Sequence, residues 1–251
     1  MALVDSPTLV FTFSFVVLWL AAEAGDLLRK RTGPLADDQR ENFGIVLSAT
    51  LTLLGLLIGF TFSMAISRYD QRKTYEEAEA NAIGTEFLRA DLLPPADGGR
   101  VRDLLRKYLD QRVSFYTARD PNEITRIDAA NLELQNQLWA AVLPASSQPS
   151  PVNALAVSGM NDVLNSQGYT QSAWWNRIPL AAWILMVTIG VCCNLLIGYG
   201  ARRSNWLILL IVPIAVSIAF FLIADIDSPR GGAIRVTPKN LLSLSQSLPK
   251  Q

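Results

Sequence analysis

Histidine is absent from this 251-residue chain, and cysteine occurs only twice. Without an imidazole, Ser-His catalysis, histidine-ligated metals and the common neutral-pH proton switch are excluded together. The two cysteines, Cys192 and Cys193, are neighbours inside an apolar run, where they read as small hydrophobes. No disulfide framework follows from them. An excess of one charge is missing too: 22 Lys and Arg balance 22 Asp and Glu. Nothing draws the whole chain to nucleic acid, and no basic motif interleaved with aromatics occurs. There is no Walker loop, Rossmann glycine pattern or GxSxG elbow. The acidic run "EEAE" (76–79) imitates a di-metal carboxylate face, but such faces ordinarily include histidine. The expectation is therefore no enzyme, no cofactor and no metal.

What the chain does have is apolar length. Half its residues are hydrophobic, and they gather into four blocks at 8–22, 43–67, 178–199 and 204–224. Each approaches the roughly 20 residues that cross a bilayer as a helix. A cleaved signal peptide competes for the first block, since "AEAG" (22–25) offers an A-x-A-like site. Against that reading, no Lys or Arg precedes the block and Asp5 does. Pro213 lies mid-span in the fourth block, which membrane helices tolerate. Trp174, Trp175 and Trp206 read as interfacial anchors. Residues 200–203 alone separate the last two spans, which predicts a tight helical hairpin.

The expected fold class is all-α: four transmembrane helices, with a helical insert between the second and third. The expected divisions are 1–67 for the first two spans, 68–177 for the insert, 178–224 for the last two spans and 225–251 for a tail. Within the insert, helix should run to Pro94-Pro95, and "ADGG" (96–99) reads as a turn. Val101, Leu104, Leu105, Tyr108 and Leu109 then recur at helical spacing. Asp120-Pro121-Asn122-Glu123 is a helix start. Ile124, Ile127, Asn131, Leu134, Leu138 and Ala141 share one face of the helix that follows. "PASSQPSP" (144–151) reads as a linker, and Gly168 as the end of the next helix.

The second block has a further property. No proline occurs from Phe43 to Leu93, so one helix of roughly 75 Å is predicted at 1.5 Å per residue. The hydrocarbon core is only about 30 Å thick. Over half of that helix would stand in water, where a lone rod gains little and a ring of rods can form a funnel. Ser48, Gly55, Gly59 and Ser63 make a small-residue face that lets helices approach closely. That face can serve packing within the chain's own bundle or between copies. Thr52, Leu56 and Phe60 lie four apart and would form successive rings about an axis; an apolar constriction of that kind gates by dewetting. Further along, Asp70, Thr74, Glu77 and Asn81 share one face. They read either as a polar vestibule that concentrates cations or as an ordinary solvated surface.

"IGFTFSMAISRYDQRKTYEEAEANAIG" resembles the segment in which the second membrane helix of bestrophin channels leaves the bilayer. Two stretches, "SRYDQRKTYEEAEANAIGTEFLRADLLP" (67–94) and "DSPRGGAIRVTPKNL" (227–241), are similar to signatures of the bacterial bestrophin-like set. The resemblance implies a homopentamer in the plasma (inner) membrane, with lipid, other copies and inorganic ions as its partners. Both termini and the insert would be cytoplasmic, which the balanced loop charges leave open. Phe60 matches the aromatic after the glycine of the bestrophin neck, and Leu56 and Thr52 match the positions four and eight earlier. Thr52 is polar where the family places bulky apolar residues, and Tyr69 stands where it usually has Trp. Arg68, Tyr69, Asp227, Pro229, Arg230, Gly231 and Gly232 are the motif residues. Only Asp225 and Asp227 follow the last span, so no acidic calcium clasp and no calcium dependence are expected.

Two functions from different classes follow. One is an oligomeric ion channel lined by the second span; the other is a membrane-anchored helical scaffold or sensor that conducts nothing. The tail adds a local expectation. Gly231 and Gly232 allow positive φ for a sharp turn; Arg230 and Arg235 either pair with Glu76, Glu77 or Glu79 of the insert or mark a membrane-facing surface.

Overall fold

The computed structural model describes residues 6–33, 35–146, 150–201 and 206–249. Among them every regular element is helical. The helices are α1 (Pro7–Thr32), α2 (Asp37–Arg89), α3 (Pro95–Thr117), α4 (Pro121–Ser146), α5 (Pro151–Trp175), α6 (Leu180–Gly200), α7 (Trp206–Asp227) and α8 (Lys239–Ser247). A 3-10 turn, Ala90–Leu92, follows α2. Four helical stretches are long and apolar enough to cross a membrane. They carry α1, α2, α6 and α7. Leu3, Val4, Asp5 and the hairpin residues Arg202, Arg203 and Ser204 lie outside the described residues, as does the side chain of Trp206.

The chain forms two compact units. Unit one comprises Met1–Tyr69 and Arg177–Arg235; unit two comprises Asp70–Asn176 and Val236–Gln251. Helix α2 contributes to both.

In unit one, α1 packs on α6 and α7. Between apolar helices in lipid, close approach rather than water exclusion does the holding. Gly25 and Gly198 provide it. A methyl group on Gly25 would collide with the backbone of Leu195, and one on Gly198 with that of Ala22. Leu18, Met186, Cys193, Phe220 and Ile223 fill the core around this crossing. The ring of Trp183 meets Phe220 edge-on at 6.1 Å. Helix α1 runs past the apolar block read from sequence because its far end is charge-compensated. Buried Asp26 pairs with Arg29 and Lys30, each at 2.6 Å, the spacing at which helix neighbours meet.

Unit two is built from the insert, with α3 on α4 and α4 on α5. Val101, Leu105, Tyr108, Leu109, Leu138, Met160 and Val163 are buried in it. Its starts follow local chemistry. Asp120 accepts the Asn122 amide at 3.0 Å ahead of α4, and Ser150 accepts that of Asn153 at 3.0 Å ahead of α5. Four expectations are corrected here. "ADGG" forms the first turns of α3, with Pro95 at its start, rather than a turn. Gly98 lies so close to the carbonyl of Ala90 that no side chain fits. Gly168 lies within α5, which continues to Trp175. Helix α4 carries on through Pro144 to Ser146, so the linker is shorter than "PASSQPSP"; residues 147–149 of it lie outside the described residues. Trp174 is no interfacial anchor. Its ring packs 4.9 Å from Phe115 and 5.4 Å from Tyr116 in the core, while Trp175 is exposed.

The glycines of unit one divide into two kinds, and substitution separates them. Gly198→Leu forces α1 off α6 and is expected to cost about 3 kcal/mol, read as detergent unfolding of the purified protein. At Gly55 an added Cβ meets nothing within 4 Å; Gly55→Leu is expected to leave helical content and the protomer fold unchanged.

Candidate functional site

Helix α2 has 53 residues, about 80 Å at 1.5 Å per residue. Its two sides differ. Within unit one, Leu54 and Ala65 join the core, and Leu51, Leu57, Ile58, Phe62 and Tyr69 pack against it. The opposite side is uncovered. Thr52, Leu56 and Phe60 are exposed, Leu56 by 52% and Phe60 by 61%. So are Ser48, Gly55, Gly59 and Ser63. The intrachain bundle leaves these small residues unused: a Cβ on Gly55 or Gly59 would enter open space. Asp70, Thr74, Glu77 and Asn81 are exposed as well. The series Thr52, Leu56, Phe60, Ser63, Ser67, Asp70, Thr74, Glu77, Asn81 advances by three or four residues at each step. It therefore follows one stripe of the helix, and every member is exposed.

Of the other charges between Ser67 and Asn81, Arg72, Glu76 and Glu79 are buried and Arg68 is half-buried, while Lys73 is exposed. Arg68 lies 3.8 Å from Asp227 at the end of α7. Asp227 also accepts from Arg177 Nε at 3.1 Å and from the Ile178 amide at 3.2 Å. One fully buried carboxylate thus gathers α2, the start of α6 and the end of α7. A buried acid needs this: stripped of water, it is tolerated only with partners. The two resemblance motifs meet here, "SRY" through Arg68 and "DSPRGG" through Asp227.

The glycines of "DSPRGG" act differently from the expectation. Gly33 is the one residue with positive φ among the described residues. Asp225 folds the tail back instead, accepting the amides of Ala233 at 2.7 Å and Ile234 at 2.8 Å. Ser228 Oγ accepts from the Gly231 amide at 3.0 Å. Gly232 lies against the Asp225 carbonyl, where any side chain would collide. Its lack of a Cβ is what the turn uses.

In unit two, Glu76 and Glu79 find partners other than Arg230 and Arg235. Glu76 caps α8, accepting the amides of Asn240 at 2.9 Å and Leu241 at 3.0 Å and the Asn240 side chain at 2.6 Å. A carboxylate at a helix N-terminus answers both its free amides and its dipole. Glu79 is fully buried and accepts from Arg112, from Tyr116 at 3.3 Å and from Thr170 at 3.2 Å. Arg112 is also fully buried, its guanidinium 4.4 Å from the centre of the Phe115 ring. Burial, reinforced by the Glu79 charge, pushes the Tyr108 and Tyr116 hydroxyls above the usual phenol range, so both stay neutral; Tyr116 donates to Glu79 and Tyr108 accepts from Gln135 Nε2 at 3.4 Å. Glu77, by contrast, is exposed.

The sequence reading passed over Arg112 and Thr170, and it missed α8. Arg112 does carry a signal. It falls at the same helical phase as Tyr108, Leu109 and Phe115, so a charge enters an apolar stripe. Such a charge calls for a buried counterion, and Glu79 is it.

The fold and these anchors define an all-α membrane protein with four apolar spans and a helical insert. The chain belongs to the bestrophin-like family: the Bestrophin-like domain matches residues 10–241. No curated protein matches it by sequence. Several solved structures are similar in fold. A bacterial bestrophin homolog from Klebsiella pneumoniae, in a leucine-to-threonine variant, aligns with a TM-score of 0.63 at 13% identity, covering 94% of this chain and 96% of that one. A second structure of the Klebsiella homolog gives 0.58 at 14% identity, covering 96% and 98%. A structure described as a membrane protein in a leucine-to-alanine variant gives 0.61 at 13% identity, covering 94% and 99%.

Asp227→Asn is expected to destabilise the protein by about 2–3 kcal/mol, below the full cost of breaking a buried pair because both arginines reach partly into solvent. Detergent unfolding measures it. Glu77→Gln on the open stripe is expected to change stability by no more than about 0.5 kcal/mol.

Proposed function

We propose that the protein is a homo-oligomeric ion channel, a pentamer as in the bestrophin resemblance, whose α2 helices line the ion pathway. One observation carries this reading: the stripe from Thr52 to Asn81 stays uncovered along the helix while the other side is anchored. In the most apolar window of α2 only 6% is buried, against 33, 28 and 50% in the other three candidate spans. Lipid alone would cover such a face. Yet an exposed line of glycine and serine gains nothing from lipid and much from a neighbouring backbone. The same stripe then continues into polar and acidic residues, which lipid cannot explain.

About a shared axis, Leu56 and Phe60 form the narrow apolar rings and Thr52 a more polar one. Beyond them Asp70 and Glu77 form acidic rings. Arg68 and Arg72 are turned away from this stripe and largely buried, and Lys73 falls beside it by helical position. The stripe therefore carries two acids and no base, which supports preference for cations. The termini and insert lie on the cytoplasmic side of the inner membrane.

Native mass measurement in detergent and ion flux in liposomes test the proposal together. The expected results are an oligomer, cation flux in the native chain, flux several-fold higher in Phe60→Ala, and a loss of cation preference in Asp70→Asn with Glu77→Gln. A monomer, or flux indifferent to Leu56 and Phe60, would end the channel reading and leave a membrane-anchored helical scaffold.

A further inference from the structure

Glu86 lies on the far part of α2, about 20 residues beyond the last apolar turn, and is fully buried. Neither of its carboxylate oxygens has a hydrogen-bond partner. Every other fully buried acid described above is met by cations or amides. Glu86 instead abuts α5 at Gly159, where its Oε2 and the guanidinium of Arg89 occupy the space a Cβ would need. Gly159 is itself buried. A glycine in mid-helix is disfavoured relative to alanine, and here its missing side chain is what admits the carboxyl.

An ionised carboxylate without partners is too costly to keep in such a place; it takes up a proton, or it moves. We propose that the Glu86–Gly159 contact is a proton-operated latch between α2 and α5, shut while the carboxyl is neutral and loosened when it ionises. The step is loss of one proton to solvent. The resulting carboxylate is drawn out of the contact toward water; Arg89, its nearest cation, already lies against Gly159 and gives it no hydrogen bond.

Burial sets the direction, and the charged neighbours modify it. Burial is the largest influence and raises the group; Arg89 on its own helix lowers it and Asp162 of α5 raises it, leaving Glu86 pushed up from 4.5 to about 8. On the adjoining 3-10 turn, Asp91 is taken up by Arg102. An acid whose pKa is raised by folding binds its proton more tightly in the folded state. Its contribution is therefore whole below pH 4.5 and is lost progressively until pH passes about 8. Neutral pH lies inside that window. The latch needs neither conduction nor assembly, so it stands or falls apart from the channel reading.

Hydrogen–deuterium exchange of the full-length protein in detergent, corrected for intrinsic rates, tests it at pH 6 and pH 9. In the native chain, protection of the α2 end (83–89) and the α5 start (151–163) is expected to fall tenfold or more at pH 9. Glu86→Gln, a neutral isostere, is expected to hold its protection at both values. Gly159→Ala, which crowds the carboxyl, is expected to be loosened at both. Equal loss in the native chain and Glu86→Gln would overturn the proposal. So would loosening of Glu86→Gln already at pH 6, which would mean that the anion, paired with Arg89, is what holds the contact.

Discussion

A continuous helix of about 80 Å cannot be satisfied by one solvent. Its first part needs an apolar environment and the remainder needs water, and no break separates the two. Helix α2 meets this constraint by being different on its two sides. One side is fixed by apolar packing in unit one and by buried charge in both units. The other is left open along its length. Most of the other features serve one side or the other.

The acids show the division. Asp225, Asp227, Glu76 and Glu79 are buried, and each is answered by amides, arginines or hydroxyls. They shape the tail, start α8 and tie helices together, and none is available to an ion. Asp70 and Glu77 are a few residues from Glu76 and Glu79 on α2 and remain exposed. A count of charges would treat these six alike. Placement on the helix separates them, and the proposed selectivity depends on that separation. Glu86 belongs to neither group: it is buried like the anchors but lacks their hydrogen-bond partners.

Much of the architecture was legible because it rests on local rules. Four apolar blocks, the absence of proline between Phe43 and Leu93, and the Asp120-Pro121 start all describe short-range chemistry. The exposed stripe on α2 was legible for the same reason, since helical periodicity places Thr52 with Leu56, Phe60 and Asp70. What escaped depends on partners distant in sequence. Gly25 and Gly198 are ordinary small residues until α1 crosses α6. Gly168 signals a helix end only where no packing carries the helix onward. Trp174 next to an apolar block suggests a membrane interface, yet Phe115 and Tyr116 claim it for a core. The turn at Gly231-Gly232 was expected to need positive φ; the need is for clearance against the Asp225 carbonyl. Arg112 and Glu79 lie 33 residues apart, and only the packing of α3 beside α2 pairs them.

The proposed channel requires the Thr52–Leu56–Phe60 side of α2 to face an aqueous axis shared by several copies. A nitroxide spin label on Phe60→Cys, with Cys192 and Cys193 replaced by alanine, reports this directly in liposomes by electron paramagnetic resonance. Dipolar coupling between labels on different copies, together with relaxation by a water-soluble nickel complex, is the expected result. Uncoupled labels relaxed by oxygen rather than nickel would place Phe60 against acyl chains and contradict it.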